Sequence, residues 1–170
     1  MCTPDFFSPV CENGERVIIT DRAQLLFITS EQVNKKKFLR IENQVIDNDF
    51  YSFLKKLYIK KVFFYLSFIR CSFPALTGIF CGMIVQNLEV VDCGIDEEDA
   101  YSIIHGVDPY EINYLSLADN SLSDKEGDIL NLFERYVSGA WSATIDFRGN
   151  CLNDKFKSTA QQWTSLTFYW

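Results

Sequence analysis

A short apolar pattern recurs along this chain, and its spacing constrains the fold more than any other feature. The clearest copy is residues 112–122 (INYLSLADNSL), with large apolar residues at the first, fourth, sixth and eleventh positions and Asn120 at the ninth. Four other copies keep this spacing with substitutions: residues 36–46 (KKFLRIENQVI), 63–73 (FFYLSFIRCSF), 85–95 (VQNLEVVDCGI) and 142–152 (SATIDFRGNCL). Such a repeat predicts stacked copies of one small unit, because a single unit cannot bury its apolar face alone.

Each copy combines a strand pattern with a turn residue. The central apolar residues alternate with polar ones, which is the period of a strand with one buried face. A polar side chain at the ninth position can satisfy backbone groups where the strand ends, so we expect a ladder of these side chains to link the units. The ninth position holds Gln44, Cys71, Cys93, Asn120 and Asn150, at intervals of 27, 22, 27 and 30 residues. Residues 163–168 indicate a sixth strand.

Helix signals follow the predicted strands. Asp96 precedes acidic residues that suit a helix N-terminus, and residues 123–126 have the spacing of a capping box. In the interval from Cys71 to Cys93, Pro74 and Gly78 favour a less regular connection. The other expected caps are Asn48 or Asp49 before residues 50–58, and Asn153 or Asp154 before the last strand.

The pattern LxxLxLxxNxL with intervals near 27–30 residues resembles the ribonuclease-inhibitor-like class of leucine-rich repeat proteins. The resemblance covers about residues 36–170 and implies an α/β solenoid, with short parallel strands on the concave face and helices on the convex face. Residues 35–170 would then hold about five repeats and a final strand. Residues 1–34 do not match, and segments 16–19 and 24–27 are expected to belong to a divergent N-terminal cap.

The concave face is the expected binding surface of such a solenoid, through the residues between the core positions of each strand. Glu89, Asp92, Asp119 and Asp146 fall at equivalent or near-equivalent positions of adjacent repeats, and stacked like charges are unfavourable unless solvated or matched by a partner. A basic protein surface is therefore one expectation, and a solvated acidic face without a partner is the other. The expected contacts are these four acids with Tyr65, Arg70, Tyr114 and Arg148, the tyrosines as aromatic anchors.

The C-terminal strand suggests a second contact. Residues 163–170 (WTSLTFYW) are aromatic, carry no charged side chain and contain no proline, so they lack the usual protection of a sheet edge. Either the chain itself covers this strand, or a partner or a second copy does. The candidate residues are Trp163, Phe168, Tyr169 and Trp170.

Charge is distributed unevenly along the chain, whose net charge is −7. Residues 1–80 carry 11 basic and 8 acidic residues, whereas residues 81–170 carry 5 and 15. The acidic half would repel nucleic acid, so any RNA phosphate contact is expected in the first half. The candidates, which could equally be solvated surface residues, are Lys35, Lys36, Lys37, Lys55, Lys56, Lys60 and Lys61.

No motif for catalysis, phosphate binding or metal binding occurs, so we expect no enzyme, no cofactor and no metal. The six cysteines form no CxxC pair, which argues against a zinc site. The N-terminus lacks the features of a signal peptide, which favours an intracellular, cytoplasmic protein. The apolar run 62–85 contains Arg70 near its middle, which argues against a membrane span.

The sequence therefore predicts a non-catalytic protein–protein interaction module, an adaptor or a subunit of a larger assembly. Two alternatives stay open. The bipolar charge would suit a factor associated with the ribosome or another ribonucleoprotein, and the repeat class also includes regulators of small GTPases.

Overall fold

The computed structural model describes residues 17–26, 38–58, 63–74, 78–123, 127–138 and 141–170. These residues form seven strands: β1 (Val17–Ile19), β2 (Phe38–Glu42), β3 (Phe63–Ile69), β4 (Val85–Val91), β5 (Tyr114–Ser116), β6 (Ala143–Asp146) and β7 (Leu166–Tyr169). They also form a 3-10 helix (Arg22–Leu26) and four α-helices: α1 (Asn48–Tyr58), α2 (Glu97–Gly106), α3 (Asp128–Ser138) and α4 (Asp154–Ala160).

All seven strands lie in one parallel sheet whose order follows the chain, β1 to β7. The predicted α/β class with parallel strands is therefore confirmed. The fourth-position residues of the repeats lie side by side in the register: Leu39, Leu66, Leu88, Leu115 and Ile145. β1 pairs with β2 in the same parallel sense, with Val17 opposite Leu39, so the sheet begins before the first repeat copy.

The inward side chains of the strands and the buried side chains of the helices form one continuous core. Each helix buries residues three or four positions apart, which is the spacing of a single helical face. These buried residues are Phe50 and Leu54 in α1, Ala100, Ile103 and Ile104 in α2, Ile129, Leu132 and Phe133 in α3, and Phe156 and Ala160 in α4. The helices therefore cover one face of the sheet, and the polar residues of the strands lie on the other.

Two of the predicted helix caps are present. The Asp96 carboxylate accepts from the Asp99 N–H at the start of α2, and the Asn153 side chain accepts from the Phe156 N–H at the start of α4. The cap of α1 is Asp47, whose Oδ1 accepts from the Phe50 N–H at 3.0 Å, and not Asn48 or Asp49. The prediction missed by one residue because all three side chains can cap a helix.

The predicted capping box at residues 123–126 has a different outcome. α3 begins at Asp128, five residues after Ser123, and the Ser123 hydroxyl and N–H instead contact Glu97 Oε1 at the start of α2. Residues 124–126 lie outside the described part of the chain. In the short interval between β3 and β4, the described residues 78–82 form turns rather than a helix, as Pro74 and Gly78 suggested.

Side chains at the turns join each unit to the preceding one. Asn120 Nδ2 donates to the Val90 carbonyl on the preceding unit at 2.8 Å, while its Oδ1 accepts from the Cys93 N–H at 3.0 Å. Asn150 repeats this arrangement one unit later, with the Leu117 carbonyl and the Leu122 N–H. The predicted ladder is therefore present at both asparagines.

The two cysteines belong to the same ladder. Cys71 Sγ lies 3.5 Å from the Ile41 carbonyl oxygen, and Cys93 Sγ lies 3.6 Å from that of Phe68. The hydrogen bond with Cys71 and, secondly, burial raise the pKa of the Cys93 thiol. A protonated thiol is the form that donates to a carbonyl, so this shift agrees with a structural place in the ladder.

Candidate functional site: the polar face of the sheet

The polar face is the side of the sheet opposite the helices, and its side chains lie in two rows across the strands. One row runs through Arg40, Ser67, Glu89, Ser116, Asp146 and Tyr169. The neighbouring row runs through Tyr65, Asn87, Tyr114, Thr144 and Thr167. Five of the predicted concave-face residues, Tyr65, Glu89, Tyr114, Asp146 and Arg148, belong to or border this face.

The first cluster on this face, the Glu89 unit, comprises Tyr65, Ser67 and Glu89. Ser67 Oγ donates to Glu89 Oε2 at 2.8 Å, and the Tyr65 side chain lies near this carboxylate. The Tyr65 ring is only 4% exposed and stacks on Phe38, with ring centroids 4.4 Å apart. Burial, reinforced by the Glu89 charge, raises the pKa of Tyr65. Tyr65 is therefore a buried member of the Glu89 unit and not an exposed aromatic anchor.

The second cluster, the Asp146 unit, comprises Tyr114, Ser116, Asp146 and Arg148. The Tyr114 hydroxyl donates to Asp146 Oδ2 at 3.3 Å. The Arg148 guanidinium donates to both carboxylate oxygens, with Nε 2.9 Å from Oδ1 and Nη2 2.6 Å from Oδ2. Asp146 is only 2% exposed, so its charge is both buried and matched. Burial, followed by the Asp146 charge, raises the pKa of Tyr114.

The two units differ in their access to a cation. Position 91, two residues after Glu89, holds valine, whereas the equivalent position after Asp146 holds Arg148. The nearby Arg40 is engaged elsewhere, since its Nε lies 2.5 Å from Glu42 Oε1 in an ion-pair contact. Among the described residues, no lysine or arginine lies within ion-pair distance of the Glu89 carboxylate.

Asp92, Asp119 and Arg70 lie in the turns that follow the strands. Their backbones adopt the left-handed conformation, with φ of 52°, 55° and 51°, and their side chains are exposed. The four predicted acids therefore form two separate rows, because Glu89 and Asp146 lie within strands while Asp92 and Asp119 lie beyond them. The equivalent turn position of the next repeat, Gly149, has φ of 74°. Because glycine readily adopts the left-handed conformation, Gly149 was the sequence signal for this conformation at the eighth position of the repeat.

The aromatic C-terminal residues pack mainly on each other and on the core. Trp170 stacks on Phe168, with centroids 4.9 Å apart, and contacts Phe156 edge to face at 5.9 Å. Trp163 meets Phe133 edge to face at 6.2 Å. Trp163, Phe168 and Trp170 remain partly exposed, and β7 is the last strand of the sheet. The chain thus covers part of this surface itself, and its coverage by a partner or a second copy stays a prediction.

Tyr169 lies instead beside Arg148, whose guanidinium carbon is 5.7 Å from the Tyr169 ring centroid.

Most of the predicted phosphate contacts lie outside the described residues. Lys35, Lys36, Lys37, Lys60 and Lys61 belong to undescribed segments, and Lys55 lies in α1 without a described side chain. Lys56 is exposed on α1. One exposed lysine does not define a phosphate-binding surface.

An open groove of about 610 Å³ lies beside the turn at residues 78–82 and α2, and Cys81, Tyr101, His105 and Asp108 are among its lining residues. His105 is exposed in the last turn of α2 and stacks on Tyr101. Within the described segments, no three Cys, His, Asp or Glu side chains are placed to hold a metal ion. None of the helices in that part of the chain has the length and apolar character needed to cross a membrane.

Comparisons of the chain with known protein families, curated proteins and solved structures found no match. The resemblance to leucine-rich repeat proteins therefore rests on the sequence pattern of this chain alone.

Proposed function

We propose that this chain is a leucine-rich repeat solenoid that works as a non-catalytic protein-binding module, either an adaptor or a subunit of a larger assembly. The observation that carries the proposal is the polar face, where two rows of side chains cross neighbouring parallel strands in register. Seven strands about 4.8 Å apart extend over about 29 Å, enough for a partner segment to contact several strands at once.

The solenoid interpretation is supported by three features of the units. The strand order follows the chain, the helices pack on one face, and ladder side chains connect successive turns. In a stacked repeat each unit mainly contacts its neighbours, which leaves the strand face opposite the helices open along the whole stack.

A protein partner suits the composition of this face. Tyrosine and arginine are the residues that most often dominate protein interfaces, and Tyr114, Arg148 and Tyr169 lie close together here. The unmatched carboxylate of Glu89 favours a partner that presents basic groups to the centre of the face.

Site-specific photo-crosslinking in cell extract tests the proposal. A photoreactive phenylalanine analogue at Thr144 lies on the polar face, and the matched control at Ser158 lies on the exposed side of α4. We expect a discrete protein adduct from position 144 and none from position 158. Adducts from position 158 alone, or from neither position, would contradict the proposal. A third probe at Lys56 tests the ribonucleoprotein alternative. Adducts from position 56 only, lost at high salt, would favour that alternative.

A further inference from the structure

Among the residues that the structure describes, the charges along the polar face balance except at one position. Arg40 pairs with Glu42, and Arg148 pairs with Asp146, so each of these carboxylates has a cation. Glu89 receives a hydrogen bond from the neutral hydroxyl of Ser67, with the Tyr65 side chain nearby. A carboxylate has about four acceptor positions, so this one donor leaves room for more. The partly exposed Glu89 therefore carries the unmatched negative charge of the face.

The Asp146 unit shows which group such a carboxylate accepts. Both units contain the sequence Tyr-Leu-Ser, at residues 65–67 and 114–116, and in both the acid lies opposite the serine on the following strand. At Asp146 the group that completes the unit is a guanidinium with one N–H bond to each oxygen. This two-point geometry suits arginine because the guanidinium is planar and forked.

The surroundings of Glu89 favour the same group from outside. Val91 occupies the position equivalent to Arg148 and cannot pair with the acid. Tyr114 lies on the next strand, opposite Asn87, and its ring is partly exposed. An aromatic ring beside a carboxylate can hold the face of a guanidinium while the acid binds its edge.

We propose that Glu89, with Ser67 and Tyr114 beside it, is a recognition site for an arginine side chain of a protein partner. The proposal rests on the proposed function of the polar face and specifies its partner chemistry. The guanidinium pairs with the Glu89 carboxylate and lies against the Tyr114 ring, as an intermolecular equivalent of the pair between Arg148 and Asp146.

The test is a nuclear magnetic resonance titration of the full ¹⁵N-labelled chain with acetyl-Gly-Arg-Gly-amide. Matched peptides contain lysine, with the same charge, or citrulline, with a similar shape and no charge. We expect the arginine peptide to shift the amide signals of residues 87–91 and 114–116, with weaker shifts from lysine and none from citrulline. Glu89→Gln should weaken the arginine response about tenfold, equivalent to about 1.4 kcal/mol. Glu134→Gln, an equal charge change on the exposed side of α3, should leave it unchanged.

Absence of shifts at these residues at millimolar peptide, or equal responses in the wild-type and Glu89→Gln chains, would overturn the site. Equal responses to arginine and lysine would overturn its selectivity for arginine. Thermal melting of each variant shows whether it folds, and Glu89→Asp, which keeps the charge, provides a second variant. If position 144 crosslinks a protein but the peptide response does not depend on Glu89, the arginine site is wrong and the proposed binding face is retained. A peptide response without any crosslinked partner would instead contradict the proposed function.

Discussion

The Glu89 unit and the Asp146 unit both contain a tyrosine, a serine and an acid, and they differ in the residue two positions after the acid. In each, a tyrosine from the preceding strand lies near the acid, and a serine lies opposite the acid in the register. Arg148 then closes the Asp146 unit, whereas Val91 leaves the Glu89 unit without an arginine of its own. The side chain two residues after the acid therefore decides whether the carboxylate is paired within the chain or available to a partner.

The largest expected difference between the units is in stability. Asp146→Ala removes hydrogen bonds to Tyr114 and Arg148 from a site that is 2% exposed, and should lower the free energy of unfolding by about 2–3 kcal/mol. Glu89→Ala should cost less, about 1 kcal/mol, because it loses only a hydrogen bond from the neutral Ser67 hydroxyl, breaks no ion pair, and its side chain reaches solvent. Urea unfolding of both variants measures the difference. Equal losses of unfolding free energy in the two variants would contradict the difference between the units.

The tyrosines should differ from an exposed tyrosine at alkaline pH. Burial raises the pKa of Tyr65 and Tyr114, so the folded chain retains their protons at a pH where the unfolded chain loses them. Stability from these groups is therefore complete below about pH 10, the pKa of a free tyrosine, and falls as the pH rises above it.

Phenylalanine variants isolate this effect. Tyr114→Phe should cost about 1 kcal/mol at pH 8, through the lost hydrogen bond to Asp146, and Tyr65→Phe should cost less; both should flatten the decline above pH 10. Tyr110→Phe is the matched control, because Tyr110 is 61% exposed. Urea midpoints at pH 8, 10 and 11 provide the measurement. An unchanged alkaline decline in both buried variants would contradict the assignment of these hydroxyls.

Val91→Arg should have the smallest effect on stability and a clear effect on binding. The new arginine occupies the position of Arg148 relative to the acid, so it should pair with Glu89 and exclude the arginine peptide. Partly exposed ion pairs contribute little, so the free energy of unfolding should change by less than about 1 kcal/mol. Peptide affinity should fall about tenfold, as with Glu89→Gln. Val91→Gln is the uncharged control and should retain binding.

The strands could be predicted because alternation in the repeat copies reflects a physical requirement, one buried face for each strand. β1 was harder, since Val17–Ile19 falls in a segment that does not match the repeat, although it pairs with β2 in the same parallel sense. The cap of α1 was missed by one residue because Asp47, Asn48 and Asp49 are all competent caps.

The site was predicted residue by residue but not as an arrangement. Alternation placed Glu89 and Asp146 on the open face, yet it could not show that Tyr114 reaches Asp146, 32 residues away. It placed Ser67 on the same face, but could not show that the Ser67 hydroxyl donates to Glu89. The spacing of Asp146 and Arg148, two residues apart at the end of β6, was the available signal for a pair on the same face.

Moving the arginine from position 148 to position 91 tests whether the residue two positions after the acid determines which unit can bind an external arginine. In the double variant Val91→Arg/Arg148→Ala, the Glu89 unit gains an arginine and the Asp146 unit loses one, while the net charge stays the same. Titration of this labelled chain with the arginine peptide should move the responding amide signals from residues 87–91 to residues 144–148. Continued response around Glu89, with none around Asp146, would contradict the claim that this single position determines which unit is open.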